Sequence, residues 1–206
     1  MESLVNAFVV LFIVIDPIGV AWLFAALTRT APRSAQVRMA VRGVALSTLI
    51  LVGFFFVGDW LLKALGISLP AFRIAGGVLL FLLSIDMVFA RQSGLRSTTT
   101  REQQEAAHRE DVSVFPLAFP LIAGPGALTT VLLMTGNATG SAEFVGLLAV
   151  LLLVLAMALG ALLLTHTIVR VLGETGANVV SRLLGLILAA LAVQYILDGI
   201  RNSLLS

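Results

Sequence analysis

Six long apolar stretches alternate with short polar ones along the chain: Leu4 to Thr28, Met39 to Leu62, Leu69 to Ala90, Val112 to Thr135, Phe144 to Val169 and Leu183 to Ile200. A helix needs roughly 20 apolar residues to cross about 30 Å of hydrocarbon, so the pattern predicts six transmembrane helices. Polar and helix-breaking residues interrupt two of them, at Asp16-Pro17-Ile18-Gly19 and at Ala123-Gly124-Pro125-Gly126. At about 1.5 Å per residue, Asp16 lies roughly 18 Å into the first stretch. Gly124 stands twelve residues after Val112, at a matching depth. Helices 1 and 4 are therefore expected to be discontinuous near the bilayer midplane. Backbone freed from helical pairing is tolerated there only where protein buries it or it lines a cavity.

The two halves also resemble each other. Lys63-Ala-Leu-Gly66 is followed after six residues by Arg73-Ile-Ala-Gly76, and Arg170-Val-Leu-Gly173 after eight residues by Arg182-Leu-Leu-Gly185. Pro17 and Pro125 are 108 positions apart, Gly66 and Gly173 107, Gly76 and Gly185 109. Three apolar stretches per half is an odd number, so a second copy enters the membrane from the opposite side. The expected fold is an all-α polytopic membrane protein made of two inverted three-helix repeats, residues 1–90 and 112–206, joined by a polar linker, 91–111. Inverted repeats with a broken helix in corresponding places are how many secondary transporters build a midplane site.

Composition sharpens this picture. With 59% hydrophobic and 12% charged residues and a mean hydropathy of +1.07, the chain lies outside the range of soluble domains. The opening Met1-Glu2-Ser3 lacks the basic region of a cleavable signal, so the first helix is expected to be retained. A pI near 9.9 invites a nucleic-acid reading, but the basic residues are spread over short loops and form no single patch. Ten of the thirteen Lys and Arg fall in the loops after stretches one, three and five: Arg29, Arg33, Arg38, Arg42, Arg91, Arg96, Arg101, Arg109, Arg170 and Arg182. That bias places those loops, and the linker, in the cytoplasm and both termini on the other side of an inner (plasma) membrane. There is no cysteine, hence no disulfide or thiolate metal site. No catalytic, phosphate-binding or metal motif is present, so neither an enzyme nor a cofactor is expected. Lipid surrounds the protein, and nothing in the pattern sets an oligomeric state.

The chemistry concentrates at the breaks. Asp is favoured at a helix N-cap and Pro at the first helical position, so Asp16-Pro17 is expected to start a half-helix running to about Leu27, and Gly124-Pro125 its counterpart. Helix N-termini present amide N–H groups at a positive dipole end, which suits a small carboxylate. Asp16, the one carboxylate deep in an apolar stretch, either caps the Pro17 half-helix, meets a substrate ammonium or takes up a proton. The candidate substrate site comprises Asp16, Pro17, Ile18, Gly19, Gly124, Pro125, Gly126, Thr129 and Thr130. The glycines allow close backbone approach by a ligand or by another helix, and the two threonines offer hydroxyls to a ligand or back to the preceding turn. A small zwitterionic amino acid fits such a constellation. Asp86 and Ser84 are expected at the interface. His166 lies one turn from Arg170, Gln194 and Tyr195 are expected to bond between helices, and Gly76-Gly77 and Ala156 to Gly160 read as close helix contacts. Trp22 and Trp60 suit packing or an aromatic belt.

Three motifs, Asp16-Pro17-Ile18-Gly19, Phe72-Arg73-Ile74-Ala75-Gly76-Gly77 with Asp86-Met87, and Pro116-Leu-Ala-Phe-Pro120-Leu-Ile-Ala-Gly-Pro-Gly-Ala127, resemble those of the MarC family. The likeness spans all six helices. It implies a six-helix inner-membrane protein, and through members of the SnatA type it implies transport of small neutral amino acids such as glycine and alanine. The family pattern continues with Asn after the first glycine and Pro two positions later, where this chain has Val20 and Trp22. The exchange removes a potential ligand and adds bulk. The competing expectation is a non-transporting assembly or scaffold protein whose breaks only bend helices to fit their neighbours.

Overall fold

The computed structural model describes residues 2–89, 111–136, 138 and 140–204, and all regular structure among them is helical. The first apolar stretch forms α1 (Glu2–Ile15) and α2 (Pro17–Leu27), which together make one apolar span with Asp16 between them. The second forms α3 (Arg33–Ala64) and the third α4 (Leu69–Phe89). Most of the expected linker lies outside the described residues. The fourth stretch begins as a wide-turned π-type segment, Ser113–Ile122, followed by α5 (Pro125–Gly136). The fifth is α6 (Ser141–Leu163), and α7 (Thr165–Leu204) carries the sixth, with its apolar span over Thr175–Leu204. Five helical spans meet the length and hydropathy needed to cross a membrane. A sixth is counted if Ser113–Ile122 and α5, bent by 51° at their junction, are taken together. Exposed Leu49, Phe56, Trp60, Val145, Leu153 and Leu186 face outward, as a lipid-bathed perimeter requires.

Local chemistry explains where the helices stop. Lys63 in the last turn of α3 suits the negative dipole end, and Gly66 takes the left-handed conformation, φ 66°, that closes the turn. Residues 113–122 fail to form an α-helix because Pro116 and Pro120 lack N–H donors and push the residues before them out of the helical region. Phe115 and Phe119 accordingly sit at φ −129°, ψ 125° and φ −134°, ψ 127°. The surviving bonds reach back five residues, Leu117 N–H to Val112 O at 3.1 Å and Ala123 N–H to Ala118 O at 2.9 Å. The irregularity of helix 4 thus starts eight residues before the Ala123–Gly126 break at which the sequence places it.

The fifth span is shorter than its apolar run. The α6 helix ends at Leu163, and the run continues to Val169 in the first part of α7, which is set off from the last span by Gly173 at φ 62°. A run of hydrophobic residues carries no mark of such a turn when no proline or charge sits at it. The α3 helix likewise begins six residues before Met39, because Arg33 to Arg38 continue it beyond the apolar run. Asp111, at the entry to the second half, accepts from Ser113 N–H at 2.8 Å and pairs with Arg42 at 2.6 Å. The Ser113 hydroxyl and amide, together with the Arg42 guanidinium, hold its carboxyl below the usual carboxylate range.

The helices pack mainly across the two halves. The closest pairing is α4 with α7, and α2 rests on α6 and α7 while α3 rests on the 113–122 segment, α5 and α6. Glycines let α4 and α7 approach. A Cβ at Gly77 would lie 2.8 Å from Ala192 O and 2.6 Å from Ile196 Cγ1. A Cβ at Gly185 would lie 3.2 Å from Ser84 O and 3.2 Å from Val88 Cγ2. At Ala156 to Gly160 the expected close contact is absent within the described chain: Ala156 is exposed and a Cβ at Gly160 would meet open space.

Candidate functional site

The residue before a proline is barred from the right-handed helical region, and Asp tolerates the left-handed one better than most side chains. Asp16 takes that option, at φ 45° and ψ 72°. It is fully buried. Its carboxylate accepts from Gly19 N–H at 3.0 Å, which is the N-cap of α2, and from the Ser181 hydroxyl of α7 at 3.0 Å. The backbone ladder nearly survives the interruption, since Asp16 N–H donates to Phe12 O at 2.9 Å and Val20 N–H to Asp16 O at 3.0 Å. The first break is therefore a one-residue kink whose polar groups are largely engaged by protein. It is not the open row of free amides that the sequence leads one to expect.

The second break is more severe. Its two arms meet at 51°. Gly124 stands 108 positions after Asp16 and has no side chain to cap with, and a Cβ there would overlap the carbonyl of Pro120. Only glycine admits that close approach of the wide-turned segment. The two breaks lie side by side in the fold: a Cβ at Gly126 would be 3.4 Å from Val14 Cγ1, two residues before Asp16, and 3.0 Å from Leu83 Cδ2 and 3.2 Å from Leu80 Cδ2 of α4.

The remaining candidate residues divide by what their side chains touch. Pro17, Gly124, Gly126, Thr129 and Thr130 are buried, while Ile18, Gly19 and Pro125 are half-buried. The Thr130 hydroxyl donates back to Gly126 O at 2.8 Å, and the Thr129 methyl fills the space left by Gly76 of α4. The structure thus gives Thr130 the local bond, and gives the Thr129 methyl a packing role. Ser84 and Asp86, expected at the interface, are buried in the protein, with the Ser84 hydroxyl donating to Phe81 O at 2.6 Å. Gln194 is exposed and donates to Asp198 Oδ1 at 2.9 Å within its own helix, so it bridges no helices. Among the described residues no group of three His, Asp or Glu could hold a metal ion.

Ser181 is the residue that sequence reasoning missed. It precedes Leu183, where the last apolar run begins, and so falls in what reads as a loop. The helix extends back over it to Thr175 and brings it against a partner 165 positions away.

Comparison with known proteins agrees with this architecture. The family model described as MarC family integral membrane protein matches residues 1–204. A UPF0056 membrane protein of Methanocaldococcus jannaschii is 35% identical over 206 residues, covering 100% of this chain and 99% of its own. The UPF0056 membrane protein YhcE of Escherichia coli is 32% identical over 95% of this chain and 90% of its own. The UPF0056 inner membrane protein YhgN of the same organism is 34% identical, with 98% of each chain covered. No solved structure matches the chain. A match that runs through every span and both breaks establishes that the chain belongs to the MarC family of integral membrane proteins.

Proposed function

We propose that this protein is a secondary transporter of small neutral amino acids, of the glycine or alanine kind, working by alternating access between two inverted halves of the inner membrane. The observation that carries the reading is the packing of two interrupted spans against each other, one of them holding a fully buried carboxylate. A neutral Asn would cap α2 as well without the several kcal/mol that an ionisable acid costs at that depth, so the cap alone does not account for an Asp at this position.

The inverted relation between the halves is supported by a reciprocal contact. Gly77 of α4 rests on Ala192 and Ile196 of α7, and Gly185 of α7 rests on Ser84 and Val88 of α4. Each member of the first set stands 108 positions from its counterpart in the second: Gly77 and Gly185, Ser84 and Ala192, Val88 and Ile196. The two prolines of the breaks share that separation. A two-fold axis in the membrane plane generates contacts of this kind, and they refine the 109-position match of Gly76 with Gly185 to one of Gly77 with Gly185.

In this reading a substrate ammonium takes the acceptor position on Asp16 that the Ser181 hydroxyl occupies. The substrate carboxylate faces the N-terminal amides of α5, at the positive end of its dipole. Val14, Leu80 and Leu83 crowd Gly126, which favours a substrate with a small side chain. The Asp16–Ser181 bond joins the first half to the second, so exchanging it for a substrate contact couples occupancy to the relative position of the halves, as alternating access demands.

Purified protein in liposomes should take up labelled glycine or alanine saturably, and Asp16→Asn should lower that flux at least tenfold. Asn keeps both the left-handed conformation and an acceptor for Gly19, so a loss would report on the charge. Flux absent for every small neutral amino acid, with the protein folded, would end the transport reading and favour an assembly role.

A further inference from the structure

A cavity lies away from the breaks, at the end of the molecule where α2 turns into α3 and α6 into α7. It encloses about 430 Å³, within the range of small-ligand pockets. Its walls include Trp22, Ala25 and Val169, and its polar groups include Arg29, His166 and Arg170. Arg29 lies two residues past the end of α2. Gln36 of α3 holds that turn closed, its side-chain amide donating to Thr28 O at 2.9 Å and Ala31 O at 3.2 Å. Arg170 comes from the short leading part of α7, ahead of the Gly173 kink.

Two features of this cavity point to an anion. Among the described side chains neither arginine has an ion-pair or hydrogen-bond partner, and none of those that line the space is acidic. Among the described lining residues there is no carboxylate to meet the ammonium of a zwitterionic amino acid, which separates this cavity from the Asp16 site. Two guanidinium groups present planar forks of donors that match phosphate oxygens. The apolar floor and half-buried Trp22 lie at the ends of membrane spans, the level at which indole rings and lipid headgroups meet. Basic pockets between spans at that level suit anionic headgroups.

We propose that this cavity binds a phosphate-bearing anion through Arg29 and Arg170, with acyl or other apolar parts against Trp22, Ala25 and Val169. The inference is independent of the transport reading, since it uses none of the residues at the breaks. The phosphate can come from the headgroup of an anionic phospholipid or from a soluble phosphate compound, and the test separates the two.

The full chain carrying Trp60→Phe, which leaves Trp22 as the only indole, is titrated in detergent with phosphatidylglycerol, with phosphatidylcholine of the same acyl chains, and with inorganic phosphate, reading Trp22 fluorescence. Phosphatidylglycerol binding well ahead of the other two supports the lipid source. Inorganic phosphate binding as well as phosphatidylglycerol supports a soluble one. In either case Arg29→Ala and Arg170→Ala should each weaken binding roughly tenfold, the scale of one charged hydrogen bond. Arg201→Ala, at the far end of α7, should leave it unchanged. Both cavity arginines are exposed, so their removal should leave the fold intact, checked by circular dichroism. Equal affinity for phosphatidylglycerol and phosphatidylcholine, or binding indifferent to the two arginine substitutions, overturns the proposal.

Discussion

Asp16 performs two jobs with one carboxylate, and both follow from the proline after it. Pro17 bars Asp16 from the helical region, and the left-handed conformation it adopts turns its side chain back onto Gly19 N–H and toward Ser181. Half of this was legible. An Asp before a Pro in an apolar run is a local signal for a cap, and the cap is present. The bond to Ser181 was not legible, because no local pattern links residues 165 positions apart. The two bonds can be separated by substitution. Ser181→Ala removes one donor to a buried carboxylate and should cost roughly 1–3 kcal/mol, while Asp16→Ala removes the cap, leaves two donors without their acceptor and adds the penalty of a left-handed non-glycine residue, about 1–2 kcal/mol. Thermal unfolding in detergent should therefore rank wild type above Ser181→Ala above Asp16→Ala, with Asp16→Asn close to wild type. A Ser181→Ala midpoint equal to wild type would mean that the α2–α7 bond contributes nothing to holding the halves together.

At the level of helices, hydropathy locates the spans and misplaces their ends. Apolar length is enough to find each crossing because lipid demands it of every span. It is blind to a turn made inside a hydrophobic run, as at Leu164, and to a helix that continues into polar sequence, as α3 does through Arg33 to Arg38. The unusual winding of residues 113–122 was written in Pro116 and Pro120, four positions apart, whose effect on Phe115 and Phe119 follows from proline sterics alone. Glycines that looked alike in sequence prove different in the fold. Gly77 meets backbone of α7, whereas Gly53 faces open space. Gly77→Ala should force α4 and α7 apart and cost about 1–3 kcal/mol, the usual scale of overpacking. Gly53→Ala should be neutral or slightly stabilising, since alanine is the better helix former. Equal melting temperatures for the two variants would show that the α4–α7 contact is not tightly packed.

For the whole molecule, the decisive property is the sense in which the two halves cross the membrane. A parallel duplication would put matching residues on the same face, whereas the inverted one proposed above would put them on opposite faces. The chain has no cysteine, so this can be read directly from single introduced thiols. Thr30 follows the first span and Ala138 the fourth, and they stand 108 positions apart, the separation shared by Gly77 and Gly185. In intact cells a membrane-impermeant maleimide should modify Ala138→Cys and leave Thr30→Cys untouched until the membrane is opened, because the excess of arginine in the loops after spans one, three and five predicts that they lie in the cytoplasm. Modification of both from one side would mean that the halves are not inverted. The reciprocal packing of α4 and α7 would then need another origin, and the pairing of the two breaks would lose its role as a site reached alternately from each face. Modification from opposite sides, but with Thr30→Cys the outer one, would keep the inverted halves and reverse only the direction in which the Arg29–Arg170 cavity opens.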